Sequence, residues 1–186
     1  VEFAAIYPDV SIQLMDTNRS TDIVGDGLDI AIRARPMPLD DSDFKIRILG
    51  KSQQYLVASP SLVKSNTNAQ NPIDLTSWPS LANSQATQRH YWVLYGQNGE
   101  INRQRHTPRI LTNDMLTLKN AALAGLGIVQ LPDVMIKDEI EAGLLVNVLQ
   151  DWHPPEDVIH ALFPTTQGLL PSVRVLLDFL HARLKE

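Results

Sequence analysis

Helical and strand-like segments alternate along the chain, and this alternation constrains the fold more than any other feature of the sequence. The clearest case is residues 113–149. Asn113 or Asp114 is placed to cap a helix, Gly125 to end it, and residues 128–131 form an apolar run typical of a strand. The pattern predicts a layered α/β fold with largely parallel sheets.

The same pattern extends to both ends of the chain. Pro8 is expected to stop a short N-terminal helix, and Pro60, Asp133 and Pro171 each stand where a later helix is expected to begin. Strands are expected where apolar residues alternate with polar ones or run together between turn residues, at 10–14, 29–34, 46–48, 54–59, 92–94, 109–111, 144–149 and 158–163.

The composition excludes several classes of function. The 186 residues are 44% hydrophobic and can bury the core of one domain or of two small ones. Sixteen Lys and Arg against 21 Asp and Glu give a net charge of −5, so we do not expect this segment itself to coat a phosphate backbone. Without cysteine, the chain forms no disulfide and no thiolate metal site. No stretch has the length of a membrane span, so we expect no contact with a membrane.

The N-terminus has no starting Met and no charged-then-apolar signal pattern. Residues 3–6 look like the last turn of a helix already under way. We therefore expect a further segment upstream of the chain.

No pattern of residues indicates catalysis. The sequence contains neither a Gly-x-Ser-x-Gly elbow nor a His-Glu-x-x-His zinc motif. We expect the histidines to lie on the surface or to be satisfied structurally; they are His90, His106, His153, His160 and His181. The chain is therefore predicted not to be an enzyme.

Metal and cofactor sites are not expected either. Asp40, Asp41 and Asp43 lack the glycine and the distal glutamate of a calcium loop, so a solvated turn is favoured. Gly125 and Gly127 follow a helix and precede a strand, whereas a dinucleotide loop needs the reverse order. We therefore interpret these glycines as a helix stop and a tight turn.

Two features favour ligand binding. The helix that starts at Asn113-Asp114 exposes backbone N–H groups that could hold an anion; the alternative is a plain N-cap, and both can hold at once. Arg33 and Arg35 lie at the carboxyl end of a strand expected to be central, beyond which ligands bind in open α/β sheets. Arg35 could instead pair with an acid in the loop 40–43.

Several stretches, in order, resemble the regulatory domain of LysR-type transcriptional regulators, and in particular the branch called CrgA-like. No single motif carries the resemblance, which covers residues 1–184. The matching stretches are Asp29 to Arg33, Leu49-Gly50, Tyr55 to Leu62, Asn113 to Pro132, Gly143 to Trp152 and Pro171 to Arg174.

The resemblance implies a particular version of the α/β fold, with two Rossmann-like subdomains in a periplasmic-binding-protein type II arrangement. Residues 1–70 and 157–186 would form the first subdomain and residues 71–156 the second, with two crossing strands between them. The first strand of subdomain I and an N-terminal winged helix-turn-helix would be missing from this chain.

The resemblance also implies a function. The chain would sense a small-molecule effector, with a carboxylate as the candidate class, in a cleft between the subdomains, and no cofactor would be needed. It would act in the cytoplasm as a homodimer or tetramer and reach DNA only through the missing domain. The alternative is a stand-alone periplasmic solute-binding protein of a transport system, which shares the fold.

The site residues implied by position come from both subdomains. Arg35 departs from the family, because relatives have a small residue there, and it either adds charge to the cleft or blocks it. The effector-binding residues carried over are Asp16, Thr17, Arg33, Asn83, Ser84, Asn113 and Asp114.

Overall fold

The computed structural model describes residues 1–16, 23–39, 44–66, 69–83, 90–164 and 170–184. The chain divides into two compact units, Val1–Lys51 with Asp157–Glu186, and Ser52–Glu156. In this division residues 52–70 pack with the second unit, although the predicted subdomain boundary lies near residue 70. How the chain divides into subdomains stays a prediction.

The described residues contain five α-helices, eleven strands and one 3-10 helix. In chain order these are α1 (Glu2–Ile6), β1 (Ala31–Pro36), β2 (Phe44–Ser52), β3 (Gln54–Ala58), α2 (Pro60–Ser65), the 3-10 helix (Pro72–Ser77), β4 (Ser80–Asn83), β5 (His90–Gly96), β6 (Ile101–His106), β7 (Pro108–Thr112), α3 (Met115–Leu123), β8 (Val129–Pro132), α4 (Asp133–Glu141), β9 (Val146–Asn147), β10 (Trp152–His153), β11 (Asp157–Pro164) and α5 (Pro171–Arg183). None of the helices described is long and apolar enough to cross a membrane.

The first unit is built on a sheet of order β1-β11-β2. Its core is formed by buried side chains of β2, β11 and α5, namely Leu49, Ala161, Phe163, Val173 and Leu177. The expectation that β1 is central is wrong among the described strands, because β11 lies between β1 and β2. The nearly continuous apolar run of β11 matches this central place, since a strand covered on both faces needs no polar face.

Residues 10–14 do not form the predicted strand. Ile12 and Leu14 are exposed, Leu14 by 92%. Alternating apolar residues give a segment one apolar face, but a strand also needs a neighbour for its backbone hydrogen bonds. No strand among the described residues pairs with this segment.

The second unit contains three sheets, of order β8-β3-β9, β10-β5-β6 and β4-β7. The strand β4 runs parallel to β7, and an isolated parallel bridge joins Ser80 to Ile128 beside β8. The pairs β1–β11, β3–β8, β3–β9, β5–β6 and β5–β10 are antiparallel. The prediction of largely parallel sheets is therefore wrong for the described pairs, because strand and helix order does not specify which strands pair.

The strand β6 is a correction, because no strand is predicted from the sequence between residues 94 and 109. Its sequence is mostly polar, so an apolar alternation does not reveal it. Gln104 and His106 are nevertheless buried, while Ile101, Arg103 and Arg105 are exposed. Alternate residues of β6 are therefore buried, as expected for a strand, but the buried side chains are polar.

Two backbone segments approach each other closely at position 127, and this explains why the residue there is glycine. The Leu81 N–H donates to the Ile128 carbonyl at 2.8 Å, and the Ile128 N–H donates to the Pro79 carbonyl at 2.9 Å. A Cβ atom at position 127 would lie 2.9 Å from the Pro79 oxygen, which is too close for an ordinary contact. Only glycine fits this approach without a shift of the backbone.

We expect Gly127→Ala to lower the free energy of unfolding by about 1–3 kcal/mol, the usual range for overpacking a tight site. Urea denaturation measures the change. Leu126→Ala, at a neighbouring side chain that is 36% exposed, serves as the control and should cost less. Equal losses in the two variants would show that the contact with Pro79 is not decisive.

Candidate functional site

Three of the predicted site residues come together at one edge of the second unit. Because β4 and β7 are parallel, their carboxyl ends meet, and Asn83 lies in register with Thr112. Asn113 and Asp114 follow Thr112 directly and lead into α3. This edge, formed by Asn83, Asn113 and Asp114, is called the β4–β7 edge below.

The side chain of Asp114 caps α3. Its carboxylate accepts hydrogen bonds from the backbone N–H of Leu116 at 3.0 Å and of Thr117 at 3.2 Å. The hydroxyl of Thr117 also donates to it, and the Asp114 N–H donates to the Thr112 hydroxyl at 3.1 Å. The hydrogen bond from the Thr117 hydroxyl, followed by the two backbone bonds, lowers the pKa of Asp114, so the group is ionised at neutral pH.

This capping shows that the predicted N-cap is present at the start of α3. The carboxylate of Asp114 lies where an external anion would bind. It accepts hydrogen bonds from two N–H groups of the first turn, which have no backbone acceptor within the helix. A ligand carboxylate at this point would meet a like charge. The carboxylate of Asp114 is thus a hydrogen-bond acceptor at the β4–β7 edge.

The remaining predicted residues belong to the first unit or lie outside the described residues. Arg33 is half-buried in the middle of β1, opposite His160 of β11, and not at the end of the strand. Arg35 and Asp16 are exposed. Thr17 and Ser84 lie outside the described residues, as does the loop 40–43 that was considered for calcium and as a partner of Arg35.

Among the described residues, no group of three or more His, Asp or Glu side chains is placed to hold a metal ion. Three histidines bind backbone carbonyls through Nδ1: His153 to Pro154 at 3.1 Å, His160 to Val158 at 2.9 Å and His181 to Leu49 at 3.1 Å. Since a carbonyl only accepts, Nδ1 carries the proton in each ring. These contacts confirm the structural role predicted for these three rings.

A buried polar cluster surrounds His106, and no sequence pattern predicts it. The ring of His106 stacks on Trp92 with centroids 3.9 Å apart, and its Nδ1 lies 2.9 Å from the hydroxyl of Ser80. Ser80 is fully buried, so this hydroxyl cannot meet a dissolved substrate. Because 26 residues separate the two partners, no local sequence signal indicates the pair.

Burial sets the protonation of this cluster. Burial, together with the nearby ring of His90 at 5.8 Å, lowers the pKa of His106 to about 4. The ring is therefore neutral at pH 7, and its hydrogen bond with Ser80 joins two uncharged groups. The cluster ties β4 to the β5–β6 pair and is structural.

The chain matches the family model described as "LysR substrate binding domain" over residues 1–185. It is 30% identical over 187 residues to an HTH-type transcriptional regulator of Xanthomonas campestris, covering 98% of this chain and 54% of that protein. The chain thus spans about half the length of this curated relative.

Solved structures agree with this match. The regulatory domain of AphB from Vibrio vulnificus superposes with a TM-score of 0.80 at 28% identity, covering 98% of this chain and 88% of that one. CrgA, a LysR-type transcriptional regulator from Neisseria meningitidis, gives a TM-score of 0.83 over 100% of this chain and 62% of that one. At 24% identity, this second likeness shows the fold alone.

Protonation of His106 should make stability depend on pH. As pH falls, the unfolded chain takes up a proton near the ordinary pKa of 6.5, whereas the folded chain does not until about 4. The free energy of unfolding should therefore fall between about pH 6.5 and 4. Urea denaturation across this range should show a shallower fall for His106→Gln. The control His153→Gln, which changes an exposed ring, should show the same steep fall as the parent. Identical profiles for the parent and both variants would contradict the lowered pKa of His106.

The cap of α3 gives a second prediction. Asp114→Ala should lower the free energy of unfolding by about 1 kcal/mol, because it leaves two backbone N–H groups of the first turn without a side-chain acceptor. Asp114→Asn retains an acceptor and should lose less. Chemical denaturation compares the two, and the cap would be irrelevant if both variants were as stable as the parent.

Proposed function

This chain belongs to the family of LysR substrate-binding domains, and we propose that it is the effector-sensing part of a bacterial transcriptional regulator. The observation that carries the proposal is the match of the family model over residues 1–185. The α/β fold is the periplasmic-binding-protein type II fold expected for such a domain, since its structural neighbours are LysR regulatory domains.

The lengths of the relatives support the assignment to the regulatory part. The chain covers 88% of the AphB regulatory domain but only 54% of the Xanthomonas regulator. In the whole protein we propose that a separate helix-turn-helix domain binds DNA in the cytoplasm. Effector binding would then shift the arrangement of subunits in a homodimer or tetramer, and with it the DNA-binding domains.

For the effector site we keep the residues implied by the family: Asp16, Thr17, Arg33, Asn83, Ser84, Asn113 and Asp114. The subdomains proposed to contribute them are residues 1–70 with 157–186, and residues 71–156. If the effector is a carboxylate, Arg33 is its proposed partner, because Asp114 already fills the N-terminus of α3. We further propose that the β4–β7 edge binds a hydroxyl or amino group.

The alternative of a solute-binding protein for transport has no support among the relatives, which are named as transcriptional regulators. An enzymatic role has no specific observation in its favour. The serine and histidine that approach each other in the second unit, Ser80 and His106, are both buried. We therefore propose sensing without catalysis.

A thermal-shift screen against small carboxylates and hydroxy acids tests the proposal. A ligand at about 100 times its Kd stabilises the native state by about 2.7 kcal/mol, which corresponds to roughly 5–10 °C for a chain of this size. Arg33→Ala should abolish the shift for an anionic hit, whereas Arg174→Ala, at an exposed arginine of α5, should not. An unchanged shift in Arg33→Ala would place the site elsewhere, and catalytic turnover of a hit would overturn the sensor assignment.

A further inference from the structure

The β5–β6 pair carries an unusual solvent-facing surface. Its inward side chains, including those of Trp92, Leu94 and His106, are buried. The outward side chains alternate with these buried ones along both strands. One residue of β10, which pairs with β5, lies beside them. This hairpin face consists of Tyr91, Val93, Tyr95, Ile101, Arg103, Arg105 and His153.

The hairpin face has a basic end and an apolar end. Tyr91 lies opposite Arg105, and Val93 opposite Arg103. The guanidinium carbon of Arg103 also lies 5.8 Å from the centroid of the Tyr91 ring. Toward the turn of the hairpin, Ile101 lies opposite Tyr95, and Ile101 is 64% exposed. Tyrosine and arginine are enriched where proteins bind each other, and Tyr91, Arg103 and Arg105 are exposed here.

Charge is segregated toward this part of the chain. Residues 75–113 contain four of the sixteen basic residues and one of the 21 acidic ones, which gives +3 there and −8 for the rest. Arg103 and Arg105 have no ion-pair partner among the residues that the structure describes. The face thus offers two unneutralised cations next to exposed apolar surface.

We propose that the hairpin face docks an extended acidic segment of a partner protein. Arg103 and Arg105 are two residues apart on one strand, so their Cα atoms repeat at about 6.6 Å. Alternate side chains of an extended peptide repeat at the same distance. Two carboxylates at alternate positions would bind Arg103 and Arg105, and an apolar side chain two positions further would pack between Ile101 and Tyr95.

Nucleic acid fits this surface less well than an acidic peptide. A phosphate backbone needs a continuous array of cations, and the hairpin face offers two arginines followed by apolar side chains. The inference goes beyond effector sensing, because no residue of the face belongs to the proposed effector site.

A fluorescein-labelled peptide containing Glu-Ser-Glu-Ser-Leu, and its reversed sequence, serve as probes in fluorescence anisotropy. One of the two peptides should bind the parent protein, and its binding should weaken as salt is added. A peptide with Gln in place of both Glu residues should not bind. R103Q/R105Q should weaken binding about tenfold, as expected from the loss of two exposed ion pairs. The matched control K64Q/R174Q removes two exposed charges elsewhere and should bind like the parent. R103E/R105E should instead bind the Lys-for-Glu peptide.

Several results would overturn the proposal. They are absence of peptide binding, equal binding by R103Q/R105Q and the parent, or tighter binding of duplex DNA that depends on the same arginines. If sedimentation shows that the parent protein self-associates and that R103Q/R105Q does not, the face binds a second copy of this chain instead. The thermal shift by an effector should be the same in R103Q/R105Q as in the parent, so failure of the docking proposal is distinguishable from failure of the sensor proposal.

Discussion

The parallel pairing of β4 with β7 is the constraint on which the candidate site depends. A parallel pair brings two carboxyl ends to the same edge, and the chain then needs α3 to return toward β8. The hydrogen bonds between residues 79–81 and Ile128 fix the other side of β4. Gly127 permits this approach, and Asn83 and Asp114 consequently meet at one edge.

Two polar side chains of the second unit, Asp114 and His106, form hydrogen bonds within the chain. The carboxylate of Asp114 is engaged by α3, and the His106 ring is held neutral between Ser80 and Trp92. In the proposed sensor role, the exposed carboxylate of Asp114 would accept hydrogen bonds from a ligand.

The two proposed surfaces of the second unit use different strands. The β4–β7 edge lies at strand ends, where backbone and side-chain groups converge on a small volume. The hairpin face lies across the middle of β5 and β6, where alternate side chains form a broad surface. No residue belongs to both surfaces, so a mutation in one is expected to leave the other unchanged.

The sequence by itself determined the family, the α/β class, the cap and the stop of α3, and apolar strands such as β3, β8 and β11. These features rest on local spacing, which a linear pattern records. Only the tertiary structure decided that β11 and not β1 is central, that residues 10–14 form no strand, that β6 exists, and that Ser80 meets His106. Each of these depends on which distant segment supplies the hydrogen-bond partner, and local spacing does not encode that choice.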